Sequence, residues 1–173
     1  MHKVTVLKRR SLARLNSSQL VECVLRVGSQ TLVRQSIEHP GCVVILPEIR
    51  PGFFLLVKQY RYAARDWLWE FPAGGVEGKE TLPRAARREL TEETGYAARS
   101  IKKMISFFPT PGISEEKMHI YHACKLEPAY LQKDEDEEFE LRSFSLNEIG
   151  GMIRKGKIVD GKTIIGYFLL TNL

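Results

Sequence analysis

Four glutamates carry the chemistry available to this chain: Glu80, Glu89, Glu92 and Glu93, all between Gly74 and Tyr96 in the run GGVEGKETLPRAARRELTEETGY. On a helix the last three fall at i, i+3 and i+4, so their carboxylates share one face. Three neighbouring negative charges repel one another unless a cation sits among them. Hard oxygen ligands of this kind suit Mg2+ or Mn2+, which bind a few carboxylates, keep several waters and bridge substrate phosphates. Glu80 lies just before the helix and closes such a site from its N-terminal side, while Arg88 can reach Glu92 at i+4 and hold that carboxylate in one orientation. The plainer alternative is a solvated helix laced with i,i+4 ion pairs. Gly74, Glu80 and Gly95, in register with the R-E-L-x-E-E segment, favour the metal site. Such a cluster promotes attack of water on phosphorus, and no Ser, Cys or His stands in a nucleophile-elbow or triad setting.

The elements that must position these groups follow from local signals. Thr81 is a good N-cap, Pro83 in the first turn gives up an amide that turn does not need, and Gly95 suits a left-handed helix end, so a helix is expected over 81–94. Strands are expected at 3–8 and 20–36, the latter broken at Gly28-Ser29. Further strands are expected at 41–46, 53–60, 67–71, 101–107, 117–126 and 139–144, with Pro47 and Arg50-Pro51-Gly52 separating the third and fourth. Leu146 to Lys155 reads as a helix, and a last helix runs from about Thr163 to Leu170. Strands in excess, with two or three helices packed on them, point to an α+β or α/β sandwich.

At 173 residues and 43% hydrophobic content the chain buries one core and is expected to form a single structural domain. No apolar run approaches membrane-spanning length and no signal-peptide pattern opens the chain, so a soluble, cytoplasmic protein is expected. Lys8, Arg9, Arg10 and Arg14 precede the first acidic residue, Glu22, as in a transit peptide, but Val4 and Val6 alternate with polar residues as in an ordinary strand. Cys23, Cys42 and Cys124 lack zinc or redox spacing and read as reduced core thiols. The net charge of +5 suits anionic ligands. Without an aromatic-interleaved basic stripe it argues for a polyphosphate-bearing small molecule rather than nucleic acid.

The Gly74–Tyr96 run resembles the Nudix box, G-x5-E-x7-R-E-U-x-E-E-x-G-U with U apolar. Every fixed position is met, Tyr96 at the last U being the one soft departure. Chance should produce such a match on the order of once in 10⁵ trials. The resemblance implies an α/β/α sandwich with a mixed sheet, and a hydrolase that cuts the pyrophosphate of a nucleoside diphosphate linked to another group. Gln59-Tyr60-Arg61, Glu70-Phe71-Pro72-Ala73-Gly74 and Glu38-His39-Pro40-Gly41 are similar to segments of ADP-ribose and nucleotide-sugar pyrophosphatases. So are Pro111, fifteen positions beyond Tyr96, the following Ser114-Glu115-Glu116-Lys117, and the stretch Gly156 to Thr163.

That likeness implies roles. Glu89 and Glu93 lead as metal ligands, Glu92 and Glu80 support them, and the Ala73 carbonyl adds a ligand; Mg2+ is the expected metal, with Mn2+ as the variant. Arg61 and Glu70 are candidates for holding nucleotide or ribose, and Pro111 and Glu115 complete the substrate-binding set. As plainer alternatives, Arg61 pairs with Asp66, Glu70 is an edge-strand surface charge, and Trp67 and Trp69 pack in the core rather than stack on a base. The acidic run Asp134 to Glu138 reads alone as a solvated loop. In this subgroup a loop here supplies the water-activating base, with Glu137 favoured and Glu135 and Glu138 beside it. Together with Glu92, Glu93 and Arg88 they form the expected catalytic set. The resemblance further implies a homodimer formed through an N-terminal antiparallel strand region, 1–36, with the catalytic domain at 37–173. The expected reaction splits ADP-ribose to AMP and ribose 5-phosphate, with other nucleoside diphosphate sugars as further candidate substrates. The alternatives are GDP-mannose, a dinucleotide or a nucleoside triphosphate as substrate, or a sensor that binds a nucleotide sugar without cutting it.

Overall fold

The structure, a computed structural model, describes residues 2–129 and 140–172. Glu135, Glu137 and Glu138 lie outside the described residues. The chain divides into two compact units, Met1–Gly41 with Phe107–Met118, and Cys42–Ser106 with His119–Leu173.

In the first unit β1 (Val4–Leu15), β2 (Ser18–Val27) and β3 (Gln30–Glu38) form an antiparallel sheet in chain order. The first strand is twice as long as its Val4/Val6 alternation foretells. Its continuation KRRSLARL has no apolar period because every residue of β1 is exposed. The 107–118 segment joins this unit through a parallel bridge between Ile37 and Ser114, with Ile37 N–H donating to the Ile113 carbonyl at 2.8 Å and Glu115 N–H to the Ile37 carbonyl at 2.8 Å.

The second unit is built on a seven-stranded mixed sheet. Its strands are β4 (Cys42–Arg50), β5 (Phe53–Arg61), β6 (Asp66–Glu70), β7 (Ala73–Gly75), β8 (Tyr96–Phe107), β9 (Met118–Pro128) and β10 (Glu140–Ser145). The order is β10-β5-β4-β9-β8, with β6 alongside β5 and β7 alongside β4. The helices are α1 (Leu82–Thr94), α2 (Leu146–Arg154) and α3 (Gly161–Thr171). Pro47 does not end its strand as expected. Along that edge β4 pairs with β7 at Cys42–Val44 and with β5 from Glu48, so the missing amide falls where the partner changes.

Strand β4 explains the layering. Successive side chains alternate across a sheet. Val43 and Ile45 pack with Ala85, Ala86 and Leu90 of α1, together with Ala98, Tyr121 and Ala123. Leu46, on the opposite face, meets Gly166 of α3, where a Cβ would lie 2.7 Å from Leu46 Cδ2 and 3.1 Å from the Phe71 ring. Helices therefore cover both faces, giving the α/β/α sandwich, α+β in class.

Helix α1 begins after Thr81, whose carbonyl accepts from Arg84 and Ala85 N–H at 2.9 and 3.0 Å. The Thr81 side chain makes no capping bond, so Pro83 is the start signal that acts. The helix ends at Gly95 with φ 73°, its N–H donating to the Thr91 carbonyl. Helix α2 opens on a capping box between Ser145 and Glu148. Helix α3 starts two residues earlier than expected because the Asp160 carboxylate caps Thr163 N–H at 2.9 Å.

Candidate active site

Helix α1 lays its glutamates against β7. Gly74 allows this approach: a Cβ there would stand 2.1 Å from the Glu89 carboxyl carbon, a separation no side chain can occupy. Glu93 turns toward the same strand, where its Oε2 accepts the Ala73 N–H at 3.0 Å. Ala73 to Gly75 is held by pairing with Val44, Val43 and Cys42, and the Ile45 N–H donates to the Pro72 carbonyl at 2.8 Å.

Arg88 gathers the other carboxylates. Its Nη1 donates to Glu89 and to Glu92, both at 2.8 Å, and its Nη2 to Glu80 at 2.7 Å and the Gly75 carbonyl at 2.9 Å. Arg88 thus fixes Glu80 as well as the i+4 partner Glu92. The bond from Arg88 holds the Glu80 carboxyl below its ordinary range.

Glu89 and Glu93 behave differently. Burial pushes Glu89 up to about 7 although Arg88 opposes it. Burial pushes Glu93 up to about 8; the Ala73 N–H pulls the other way, and the nearby Glu89 charge adds to the rise. A buried and a half-buried carboxylate, both costly to ionise without a counter-charge, form a site that favours a cation. Among the described residues no three His, Cys, Asp or Glu side chains already converge closely enough to hold a metal ion. A hard divalent ion that keeps waters and takes phosphate oxygens needs only one or two carboxylates, so Glu89 and Glu93 with a neighbouring carbonyl fit it.

A second polar cluster lies at the end of β6. Glu70 is 1% exposed and is no surface charge. Arg61 grips it with two bonds, Nε to Oε1 at 2.8 Å and Nη2 to Oε2 at 2.5 Å, in place of the alternative partner Asp66. Asp66 instead accepts from Trp67 N–H. Lys162 also donates to Glu70, and to Asp160 at 3.0 Å. Thr163 Oγ1 donates to Asp160 at 2.6 Å and accepts Phe71 N–H at 2.8 Å. Burial would raise the Glu70 carboxyl, but Arg61 and Lys162 together keep it below its ordinary value. The sequence points to no individual role for Lys162, Asp160 or Thr163. The Asp-Gly-Lys-Thr cap pattern marks where they stand on the helix, whereas the partnership of Lys162 with a carboxylate 92 residues away leaves no local signal.

Pro111 and Glu115 belong to the first unit, where Glu115 accepts from Ser36 Oγ at 3.2 Å and stands 3.5 Å from Arg9. Neither tryptophan is fully buried. Trp67 lies exposed against Tyr60, with ring centroids 5.7 Å apart, and Trp69 meets Phe144 edge-on at 5.0 Å. Gln59, on β5 beside Arg61, carries a buried Nε2 with no hydrogen-bond partner among the described residues.

Comparison with known proteins points the same way. Residues 38–165 match the NUDIX domain family. The chain is similar to an ADP-ribose pyrophosphatase of Bacillus subtilis, 32% identical over 145 residues, which covers 83% of this chain and 78% of that protein. It is also similar to a methanol dehydrogenase activator of Bacillus methanolicus, 37% identical over 141 residues, covering 80% and 76%. A crystal structure of an ADP compounds hydrolase superposes with a TM-score of 0.85 at 22% identity, over 99% of this chain and 94% of that one; at this identity the likeness speaks for the fold. No helix of the described residues is long and apolar enough to cross a membrane. With a family match across most of its length and a helix of glutamates laid against a glycine strand, the chain belongs to the Nudix hydrolases.

Proposed function

We propose that the protein hydrolyses ADP-ribose to AMP and ribose 5-phosphate with Mg2+ as the metal. The observation that carries this reading is the pair Glu89, buried, and Glu93, half-buried, set against Gly74 and Ala73 and both lifted well above the ordinary carboxylate range. Nudix hydrolases generally use divalent metal ions. Glu89, Glu93 and the Ala73 carbonyl would hold the ion, with Glu80 and Glu92 in support. When bound, the ion supplies charge for the phosphate oxygens and makes a water a better nucleophile. Water adds to one phosphorus, the bridging P–O bond breaks, and each half leaves as a phosphomonoester.

The chain's own groups do the rest. Arg88 holds Glu80, Glu89 and Glu92 in register. Arg61 presents a guanidinium edge to a substrate phosphate. Both Glu70 oxygens are taken by protein donors, so Glu70 serves by fixing Arg61 rather than by meeting sugar hydroxyls. The base is assigned to the acidic run, Glu137 first, then Glu135 and Glu138, on sequence resemblance alone. Pro111 and Glu115 are assigned to substrate binding on the same ground. Similarity to the Bacillus subtilis ADP-ribose pyrophosphatase supports the choice of substrate. Val4, Val6, Leu7, Leu12 and Leu15 of β1 are exposed apolar residues and support a homodimer formed through residues 1–36, with catalysis in 37–173. The thiols of Cys23, Cys42 and Cys124 suit a reducing cytoplasm.

The test is turnover of ADP-ribose beside GDP-mannose, a dinucleotide and a nucleoside triphosphate, with released phosphomonoester as readout. ADP-ribose should be the best substrate, chelator should abolish turnover, and Glu93→Gln should reduce it by orders of magnitude with the fold intact. Full activity in chelator, or in that variant, removes the mechanism. Tight ADP-ribose binding without cleavage would instead establish a sensor.

A further inference from the structure

Lys162 lies outside the glutamate box, in a stretch whose subgroup likeness assigns it no role, yet it is the most enclosed cation in the second polar cluster. Its side chain is 8% exposed, and its Nζ donates to Glu70 and to Asp160. Arg61 approaches the same Glu70 carboxylate from the solvent side, its side chain 38% exposed. The guanidinium commits Nε and Nη2 to Glu70, and Nη1 has no hydrogen-bond partner among the described residues. Two cations and two carboxylates leave this cluster without net charge. Take away Lys162 and Glu70 remains buried against Arg61 alone, with the Asp160 charge uncompensated.

We propose that Lys162 is a positioning residue for substrate phosphate: by neutralising Glu70 from within, it leaves the outward edge of Arg61 available to a diphosphate. This rests on the proposed role of Arg61 in phosphate binding. Without the inner cation, Arg61 must balance both carboxylates, and its attraction for an incoming anion falls. A guanidinium shared between a buried carboxylate and a substrate phosphate can serve both only when the carboxylate has a second partner.

The test uses the full chain with Mg2+ and measures binding of ADP by calorimetry beside steady-state turnover of ADP-ribose. Lys162→Gln keeps a donor for Glu70 or Asp160 and removes the charge. It should weaken ADP binding and raise KM about tenfold, the loss of one charge-assisted contact, with kcat changed less than about threefold. Lys162→Arg restores the charge and should bind ADP closer to wild type than Lys162→Gln does. The double variant Lys162→Gln with Glu70→Gln leaves one cation, Arg61, and one carboxylate, Asp160, so the cluster is again without net charge and its ADP affinity should recover to within about threefold of wild type. A role confined to holding α3 against β6 predicts lower thermal stability with unchanged ADP affinity, or equal loss of affinity in single and double variants; either result overturns the proposal. If Lys162→Gln fails to fold, the double variant decides, since weak ADP binding there refutes charge balance as the cause. Absent ADP-ribose turnover in wild type would remove the proposed activity, while ADP calorimetry still decides the role of Lys162.

Discussion

Replacing Glu93 with Gln should kill activity and strengthen the metal-free fold, and the second effect can be worked from the structure. In the folded chain Glu93 is raised from 4.5 to about 8, chiefly by burial. Below about pH 4.5 neither folded nor unfolded chain ionises this group, and it costs nothing. From 4.5 to 8 the unfolded chain sheds the proton first, so stability falls as pH rises; above 8 the cost is constant. At about 1.4 kcal/mol per pH unit the full cost is on the order of 5 kcal/mol. Water entry and relaxation around the metal-free carboxylates reduce this, and half leaves about 2–3 kcal/mol, or about 5–10 °C in Tm for a chain of this size. Glutamine retains an oxygen for the Ala73 N–H and carries no charge. Thermal scans in chelator should therefore place Glu93→Gln above wild type at pH 8.5, with the two curves converging near pH 5. Excess Mg2+ should reverse the order by stabilising the wild type alone. A variant no more stable than wild type at pH 8.5, or one offset equally at all pH values, would show that Glu93 is not held as a buried carboxylate.

Gly74→Ala should displace Glu89, because no Cβ fits 2.1 Å from its carboxyl carbon; turnover should fall at least about a hundredfold, with circular dichroism little changed. Arg88→Ala strands Glu80, Glu89 and the Gly75 carbonyl and should cost about 2–3 kcal/mol in denaturant unfolding while weakening Mg2+ binding. Glu70→Gln leaves Lys162 buried with Asp160 as its remaining carboxylate and should destabilise the chain by about 3 kcal/mol, read as a lower denaturation midpoint at unchanged m.

The sequence carries the glutamate helix, its glycine stop and most strand positions because these rest on local chemistry: Pro83 at the start of α1, φ 73° at Gly95, and apolar runs in β4 and β5. It carries the Arg88–Glu92 contact for the same reason. It does not carry β7, three residues made a strand by β4 rather than by their own preference. Nor does it distinguish Glu70 from a surface charge, since period-2 patterning places a side chain on a face without saying what covers that face. The cover is Lys162, from a helix 92 residues later. The exposed length of β1 is equally silent, because only hydrogen bonding to β2 makes it a strand.

The pairing of β7 with β4 has a consequence for motion. Cys42 through Leu46 are all buried, and Ala73 to Gly75 hang on them by ladder bonds. The backbone under the glutamates therefore opens only when the core opens, and the amides that bond β7 to β4 should exchange with solvent as slowly as those of the central strand, while the Ala73 N–H follows its Glu93 partner. The floor of the catalytic site does not breathe independently. Any movement that admits substrate or frees product must come from side chains or from chain beyond this ladder, so the substrate range can drift by surface substitution while the hydrolytic floor stays fixed.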